Sequence, residues 1–547
     1  MHIVIPMSGM GKRFVDAGYS VPKPLIKIDG KPIIQHVVEL FPGESKFTFI
    51  CNDEHIKTTD MKDVLLGLVN NANIVTIPKH KLGPVYAVQQ IYSLISDDEE
   101  VIVNYCDFGT YWNYKEFLEH TRSRDADGAV PAYKNFHPHM LGSTNYAFMR
   151  DENQWMLEIQ EKKPFTDDRM REYASNGTYY FKSGQILKRY FDETIASGED
   201  LNGEYYVSVV YNRLVKDNLK VSIYEIQHML QWGTPQDVEE YLGWSKYFES
   251  QQSFLSRARN RSVVDNLVVP MAGEGSRFRK EGFVKPKPFI CVNGKPMVFN
   301  AICSLPSSTK TYLGVREEHI HAPELERLAD EGLGDANFVP ILGLTDGQAT
   351  TCEHIVSHIP ENESLVIGAC DNGMVWDEKA FEKMVAEGVD VIVWAFKDHP
   401  HANSNPEQYG WIETKFSDVT NISVKRPISS TPQEDFGVVG AFYFKNKAIF
   451  SKAYEAMVDA DCRVNGEFYV DTLINFVDKD KLSVKVLPVE HFICWGTPDD
   501  YKTFNYWQSY FHKSFSHAYD LNNDMSVQED KKREMIDEYI SFGQEYS

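Results

Sequence analysis

Short apolar runs alternate along this chain with segments of helical character. In the first quarter the runs are His2–Pro6, Lys46–Cys51, Ile74–Ile77, Val101–Asp107 and Gly128–Ala132. Runs of this length, bounded by turn residues, read as strands. Ile33–Leu40 and Val85–Leu94 read as helices between them. Alternation of this kind predicts an α/β fold, with a mostly parallel central sheet flanked by helices. Tyr179-Tyr180-Phe181 and Phe442-Tyr443-Phe444 read as further core strands.

The pattern occurs twice. Val4-Ile5-Pro6-Met7-Ser8-Gly9-Met10-Gly11-Lys12-Arg13-Phe14 returns as Val268-Val269-Pro270-Met271-Ala272-Gly273-Glu274-Gly275-Ser276-Arg277-Phe278. Pro22-Lys23-Pro24 returns as Pro286-Lys287-Pro288, and Cys106-Asp107-Phe108-Gly109 as Cys370-Asp371-Asn372-Gly373. Further on, Asn202-Gly203-Glu204 matches Asn465-Gly466-Glu467, and Trp232-Gly233-Thr234-Pro235 matches Trp495-Gly496-Thr497-Pro498. A period this long marks a duplicated domain rather than a solenoid. The sequence divides as 1–248 for the first copy, 249–264 as a polar linker, 265–511 for the second copy and 512–547 as a charged tail. A short helix is expected near Lys531–Tyr539.

Length and charge narrow the function. The 547 residues exceed one ordinary core. A formal net charge of −23 argues against nucleic acid or an anionic membrane as the main partner. Eight cysteines without a C-x-x-C pair read as buried free thiols in a reducing compartment. The chain opens on a strand-like run with no basic leader, and no stretch is long and apolar enough for a membrane span. A cytoplasmic protein is expected.

Three features in each copy carry candidate chemistry. The first strand runs into a G-x-G-x-R-F loop, whose glycines let backbone N–H groups face a phosphate. Arg13 and Arg277 add a planar, permanently charged fork. A dinucleotide-binding loop needs a third glycine where Phe14 and Phe278 stand. Lys23 and Lys287 sit between prolines that stiffen the segment presenting them. Asp107 and Asp371 are expected at strand ends, where ligands bind in open α/β sheets and where a carboxylate suits Mg²⁺. His137-Pro138-His139 and His399-Pro400-His401 read as structural loops rather than zinc ligands.

On these motifs each half resembles the sugar-phosphate nucleotidyltransferases, particularly those associated with capsule and surface polysaccharide. The resemblance implies a Rossmann-like nucleotide-diphospho-sugar transferase fold in both halves. It implies that Gly9, Gly11 and Arg13 cradle a triphosphate, that Lys23 meets the reacting phosphates and that Gly83 lies near the nucleoside. It implies Mg²⁺ on Asp107, and an acceptor held by Glu161, Lys162 and Gly177. In the second half the matching positions are Gly273, Gly275, Arg277, Lys287, Gly347, Asp371, Lys425 and Gly440. The implied substrates are a nucleoside triphosphate, CTP by preference, and a phosphorylated small metabolite. The implied product is pyrophosphate.

The sequence departs from the family in places. Gln231 and Cys494 stand where many members carry a second metal-binding aspartate. Glu161 is matched by Val424, so the two acceptor pockets are expected to differ. Two rival readings remain: one half serving as a regulatory binding copy, and a glycosyltransferase of related fold. The second wants an Asp-x-Asp motif, which neither Cys106-Asp107-Phe108 nor Cys370-Asp371-Asn372 provides.

Overall fold

The opening apolar run forms the strand His2–Met7, with Ile3, Val4 and Ile5 fully buried. It pairs in parallel with Phe47–Asn52 on one side and Val101–Asn104 on the other. A parallel strand covered on both faces needs apolar residues at successive positions, which is why these runs show no alternation. The computed structural model describes residues 1–254, 264–328 and 333–541.

In the first half ten strands form one sheet, in the order Asn73–Ile77, Phe47–Asn52, His2–Met7, Val101–Asn104, Thr178–Phe181, Gly128–Tyr133, Val221–Glu225, Trp155–Glu161, Ala147–Glu152 and Tyr173–Ser175. The first four are parallel. Gly128–Tyr133 and Val221–Glu225 form a second parallel pair, with Thr178–Phe181 antiparallel beside it. Trp155–Glu161 and Ala147–Glu152 add an antiparallel hairpin.

The second half has the same order: Asn337–Ile341, Ser308–Arg316, Val264–Pro270, Leu365–Ile367, Phe436–Phe444, Val391–Phe396, Val484–Cys494, Asp418–Val424 and Gly410–Lys415. Here Phe436–Phe444 runs unbroken where the first half has two short strands, Tyr173–Ser175 and Thr178–Phe181. Both halves are therefore Rossmann-like α/β domains, each with its own buried apolar core. The aromatic runs at 179–181 and 442–444 are core strands.

By compactness the chain divides into two units. One holds Met1–Lys246, Tyr506–Ala518 and the residues from Asp537 on; the other holds Tyr247–Asn505 and Tyr519–Ile536. Residues 249–254, which the sequence assigns to a linker, continue the helix Pro235–Phe254. Glu and Gln favour helix, and no Gly or Pro interrupts the segment. Residues 255–263 of the expected linker lie outside the described residues, and Val264 already opens a strand. The charged tail carries the helix Glu529–Ser541, longer at both ends than the stretch the sequence marks. Among the described residues no helix is long and apolar enough to cross a membrane.

The run Val101–Asp107 is not one strand. Pairing stops at Asn104, whose Nδ2 donates to Tyr105 O at 2.7 Å and whose Oδ1 accepts from Thr178 Oγ1 at 2.6 Å. Asp107 thus stands beyond the strand end, in the link before Phe108–Tyr111.

Candidate active site

Gly11 is the N-cap of the short helix Lys12–Asp16 and holds a left-handed φ of 58°. Gly275 repeats this at φ 60°. A side chain on Gly275 would stand 3.0 Å from Lys287 Cβ at a φ that side chains rarely adopt, so glycine suits the close approach of loop and lysine. Phe14 and Phe278, the last residues of each motif, are buried and anchor the loop from below. Lys23 and Lys287 begin single 3₁₀ turns after an extended proline.

Each lysine meets its aspartate. Lys23 Nζ donates to Asp107 Oδ2 at 2.8 Å, and Lys287 Nζ donates to Asp371 Oδ2. Burial works against the charge on each lysine, but the carboxylate outweighs it and holds both pKa values above the ordinary lysine range. The aspartate backbone is fixed as well. Trp232 N donates to Asp107 O at 2.9 Å, and Trp495 N donates to Asp371 O at 2.8 Å. Gly109 and Gly373 leave the space that each indole ring fills.

In the first half these groups share a cavity of about 380 Å³. Gly11, Arg13, Lys23, Asp107, Glu161, Lys162 and Gly177 all line it. Lys162 adopts a left-handed φ of 59°, as Lys425 does at 56°, a conformation uncommon for a long side chain. Lys162 Nζ donates to Tyr206 Oη at 2.7 Å, and Tyr206 Oη donates to Glu204 Oε2 at 2.6 Å. Glu161 Oε2 accepts from Ser208 Oγ at 2.6 Å. Burial pushes the Glu161 carboxyl up, against the opposing pull of Ser208 and Lys162.

Gly9 and Gly83 do not line this cavity. Gly83 has its own structural duty: a Cβ there would lie 2.7 Å from Tyr205 N and O. Gly347 is pressed in the same way against Phe468, at 2.6 Å. Gly9 and Gly273 are exposed in the loop. Gly440, like Gly177, holds a left-handed φ.

Two aspartates escape a reading based on glycines and lysines. Asp237 Oδ2 accepts from Thr234 N at 2.8 Å and from Thr234 Oγ1 at 2.6 Å, while Asp237 N donates back to Thr234 Oγ1. Asp500 repeats this with Thr497. Each Gly-Thr-Pro therefore starts a helix through a reciprocal capping box, and Thr-x-x-Asp is its sequence signal. Beyond the caps the halves differ. Gln231 Nε2 donates to Asp237 at 2.9 Å, whereas Cys494 Sγ and His401 Nδ1 bond Asp500. Burial and the Asp107 charge raise the pKa of Asp237. At Asp500 burial opposes ionisation, but His401 and Thr497 outweigh it and hold the pKa low.

The residues present in the first half fit a hard divalent cation. Asp107 offers a carboxylate, and Gln231 Oε1 is buried without a hydrogen-bond partner while lining the same cavity. Magnesium takes oxygen ligands of this kind beside substrate phosphates. In the second half a thiol replaces that oxygen, a poor magnesium ligand.

Residues 3–220 match the family model described as nucleotidyl transferase. The bifunctional protein GlmU of Staphylococcus epidermidis is 23% identical over 227 residues, covering 41% of this chain. The chain spans only 47% of that relative's length. A nucleoside-diphosphate-sugar pyrophosphorylase from Vibrio cholerae RC9 is 22% identical over 44% of this chain and 99% of its own, with a TM-score of 0.37. The inositol-1-phosphate CTP transferase from T. maritima is 15% identical over 43% of this chain and 90% of its own, with a TM-score of 0.34. The match to the nucleotidyl transferase model thus falls within the first half of the chain, over residues 3–220.

Proposed function

We propose that this protein transfers a nucleotidyl group from a nucleoside triphosphate to a phosphorylated small metabolite, releasing pyrophosphate. One observation carries the reading: a glycine loop, an arginine, a lysine–carboxylate pair and a second lysine beside a half-buried carboxylate all line one cavity. A phosphate oxygen of the acceptor attacks the α-phosphorus, so no protein nucleophile is required. Catalysis is then positioning and charge neutralisation.

In this reading the N–H groups of the Gly9–Gly11 loop and Arg13 hold the departing pyrophosphate. Lys23 leaves Asp107 to neutralise charge growing at the α-phosphate. Asp107, with the spare oxygen of Gln231, is left to hold Mg²⁺, which supplies Lewis-acid neutralisation of phosphate oxygens when bound. Lys162 meets the acceptor phosphate. Glu161 and the unpartnered Nδ2 of Asn176 meet its hydroxyls. Gly273, Gly275, Arg277, Lys287, Asp371 and Lys425 take the same parts in the second half. CTP is the expected donor, and precursors of capsule or surface polysaccharide, made in the cytoplasm, are the expected products. The test is a pyrophosphate-release screen of four nucleoside triphosphates against phosphorylated sugars and polyols. Release with one pair only supports transfer; no pyrophosphate from any pair, with a nucleoside diphosphate released from nucleotide-sugars instead, points to a glycosyltransferase.

A further inference from the structure

The strand that ends in Glu161 and the helix that follows Tyr206 are locked together in the same way in both halves. Asn212 Oδ1 accepts from Ile159 N at 2.9 Å, and its Nδ2 donates to Ile159 O at 2.8 Å. Asn475 makes the same pair of bonds with Ile422, both at 2.8 Å. The hairpin register also agrees: Glu161 stands opposite Ala147, and Val424 opposite Gly410. Position 208 therefore faces 161 in the first half as 471 faces 424 in the second. The residues at these facing positions have changed together. Glu161 with Ser208 has become Val424 with Asp471.

A third change fits the other two. A methyl group on Gly410 would stand 2.5 Å from Asp471 Oδ2. Its counterpart in the first half is Ala147, where the helix presents only a serine hydroxyl. Glycine at 410 thus makes room for a carboxylate arriving from the helix. Asp471 lies in the field of Lys425, and burial pushes its carboxyl up to about 6 despite that lysine. A carboxylate held this way without a salt-bridge contact costs stability, and such costs persist where a ligand uses the group.

We propose that Asp471 is the acceptor-recognising carboxylate of the second half, placed on the helix wall of the pocket instead of the strand wall. This rests on the transferase reading above. The ligand class is a phosphorylated polyhydroxy compound. Its phosphate meets Lys425, and a hydroxyl donates to Asp471. Because the carboxylate approaches from the opposite wall, the hydroxyl it selects differs from the one Glu161 selects.

The experiment uses the full chain carrying Lys23→Ala, which leaves the second half to be read alone. Pyrophosphate release is measured with glucose 1-phosphate, mannitol 1-phosphate and glycerol 3-phosphate as probe acceptors. Asp471→Asn is expected to raise the acceptor KM about 10- to 100-fold while the nucleotide KM stays unchanged. Gly410→Ala, which adds no charge and only pushes the carboxylate aside, is expected to move the acceptor KM in the same direction. The variant Gly410→Ala, Val424→Glu, Val439→Asn, Asp471→Ser is expected to order the three acceptors as the Lys287→Ala chain does. An unchanged acceptor KM in Asp471→Asn, or equal rises in both KM values, overturns the assignment and leaves the transferase reading standing. Release by the wild-type chain but none by Lys23→Ala also overturns it, since the second half then serves no acceptor. No release by the wild-type chain from any pairing removes the transferase reading itself.

Discussion

The two halves agree at one end of the site and diverge at the other. The glycine loop, arginine, lysine and aspartate occupy the same places in both, down to the lysine–carboxylate contact and the tryptophan N–H that fixes the aspartate carbonyl. The opposite wall has been rebuilt, with Glu161 and Ser208 exchanged for Val424 and Asp471 and Asn176 for Val439. Groups that face a triphosphate answer to chemistry common to every nucleotide. Groups that face an acceptor answer to one hydroxyl pattern, and a duplicated copy is free to change them. On the proposed function, duplication here has kept a reaction centre and released a specificity wall.

The strongest way to break this comparison is to remove the shared lysines. Lys23→Ala and Lys287→Ala are each expected to silence one half, and the double variant to lose about 10²–10³ in turnover. Steady-state pyrophosphate release from the two single variants and the double variant checks it. Undiminished turnover in the double variant refutes the role of both lysines and, with it, the sameness of the reaction ends.

Next come the glycines that both halves use against a backbone. Gly83→Ala and Gly347→Ala force a methyl group into the Tyr205 and Phe468 backbones at a left-handed φ. Each is expected to destabilise its own half by about 2–4 kcal/mol, read by denaturant unfolding. A variant of normal stability with a weakened nucleotide KM alone points instead to a direct nucleotide contact at Gly83.

Much of this was legible in the sequence because it is local. The repeat, the loop, the flanking prolines of Lys23 and the core strands at 179–181 and 442–444 all lie within short windows. The end of strand Val101–Asn104 was not, since it depends on Asn104 bonding Thr178, far along the chain. The Thr-x-x-Asp caps at 234–237 and 497–500 were legible and are easily passed over beside the more conspicuous Gly-Thr-Pro. The exchange at 161, 208, 424 and 471 was not, because Glu→Val and Ser→Asp read as unrelated changes until Asn212 and Asn475 set those positions face to face.

Asp471 also separates the halves by pH. Its folded pKa of about 6 lies above the ordinary aspartate value, so the folded state holds this proton at pH values where the unfolded chain has lost it. Stability from this group is fully present below about pH 4 and falls as pH rises toward 6. Asp471→Asn is expected to remove that fall and to gain up to about 3 kcal/mol at neutral pH. Urea unfolding at pH 4, 5, 6 and 7 measures it. Parallel pH curves for variant and wild type contradict it.

The smallest expected effect concerns a difference close to the shared chemistry. Gln231 leaves a buried oxygen without a partner beside the Asp107 site, whereas Cys494 commits its thiol to Asp500. If the oxygen serves magnesium, Gln231→Leu in the Lys287→Ala chain raises the Mg²⁺ concentration needed for half-maximal rate by roughly 3- to 10-fold, about what one lost neutral oxygen contact costs. Cys494→Ala in the Lys23→Ala chain leaves that concentration unchanged, because the thiol contributes no oxygen to lose. A matched rise in both variants makes the late strand a structural support for the helix cap in either half. A rise in the first alone makes the halves unequal in how they hold the metal as well as in what they accept.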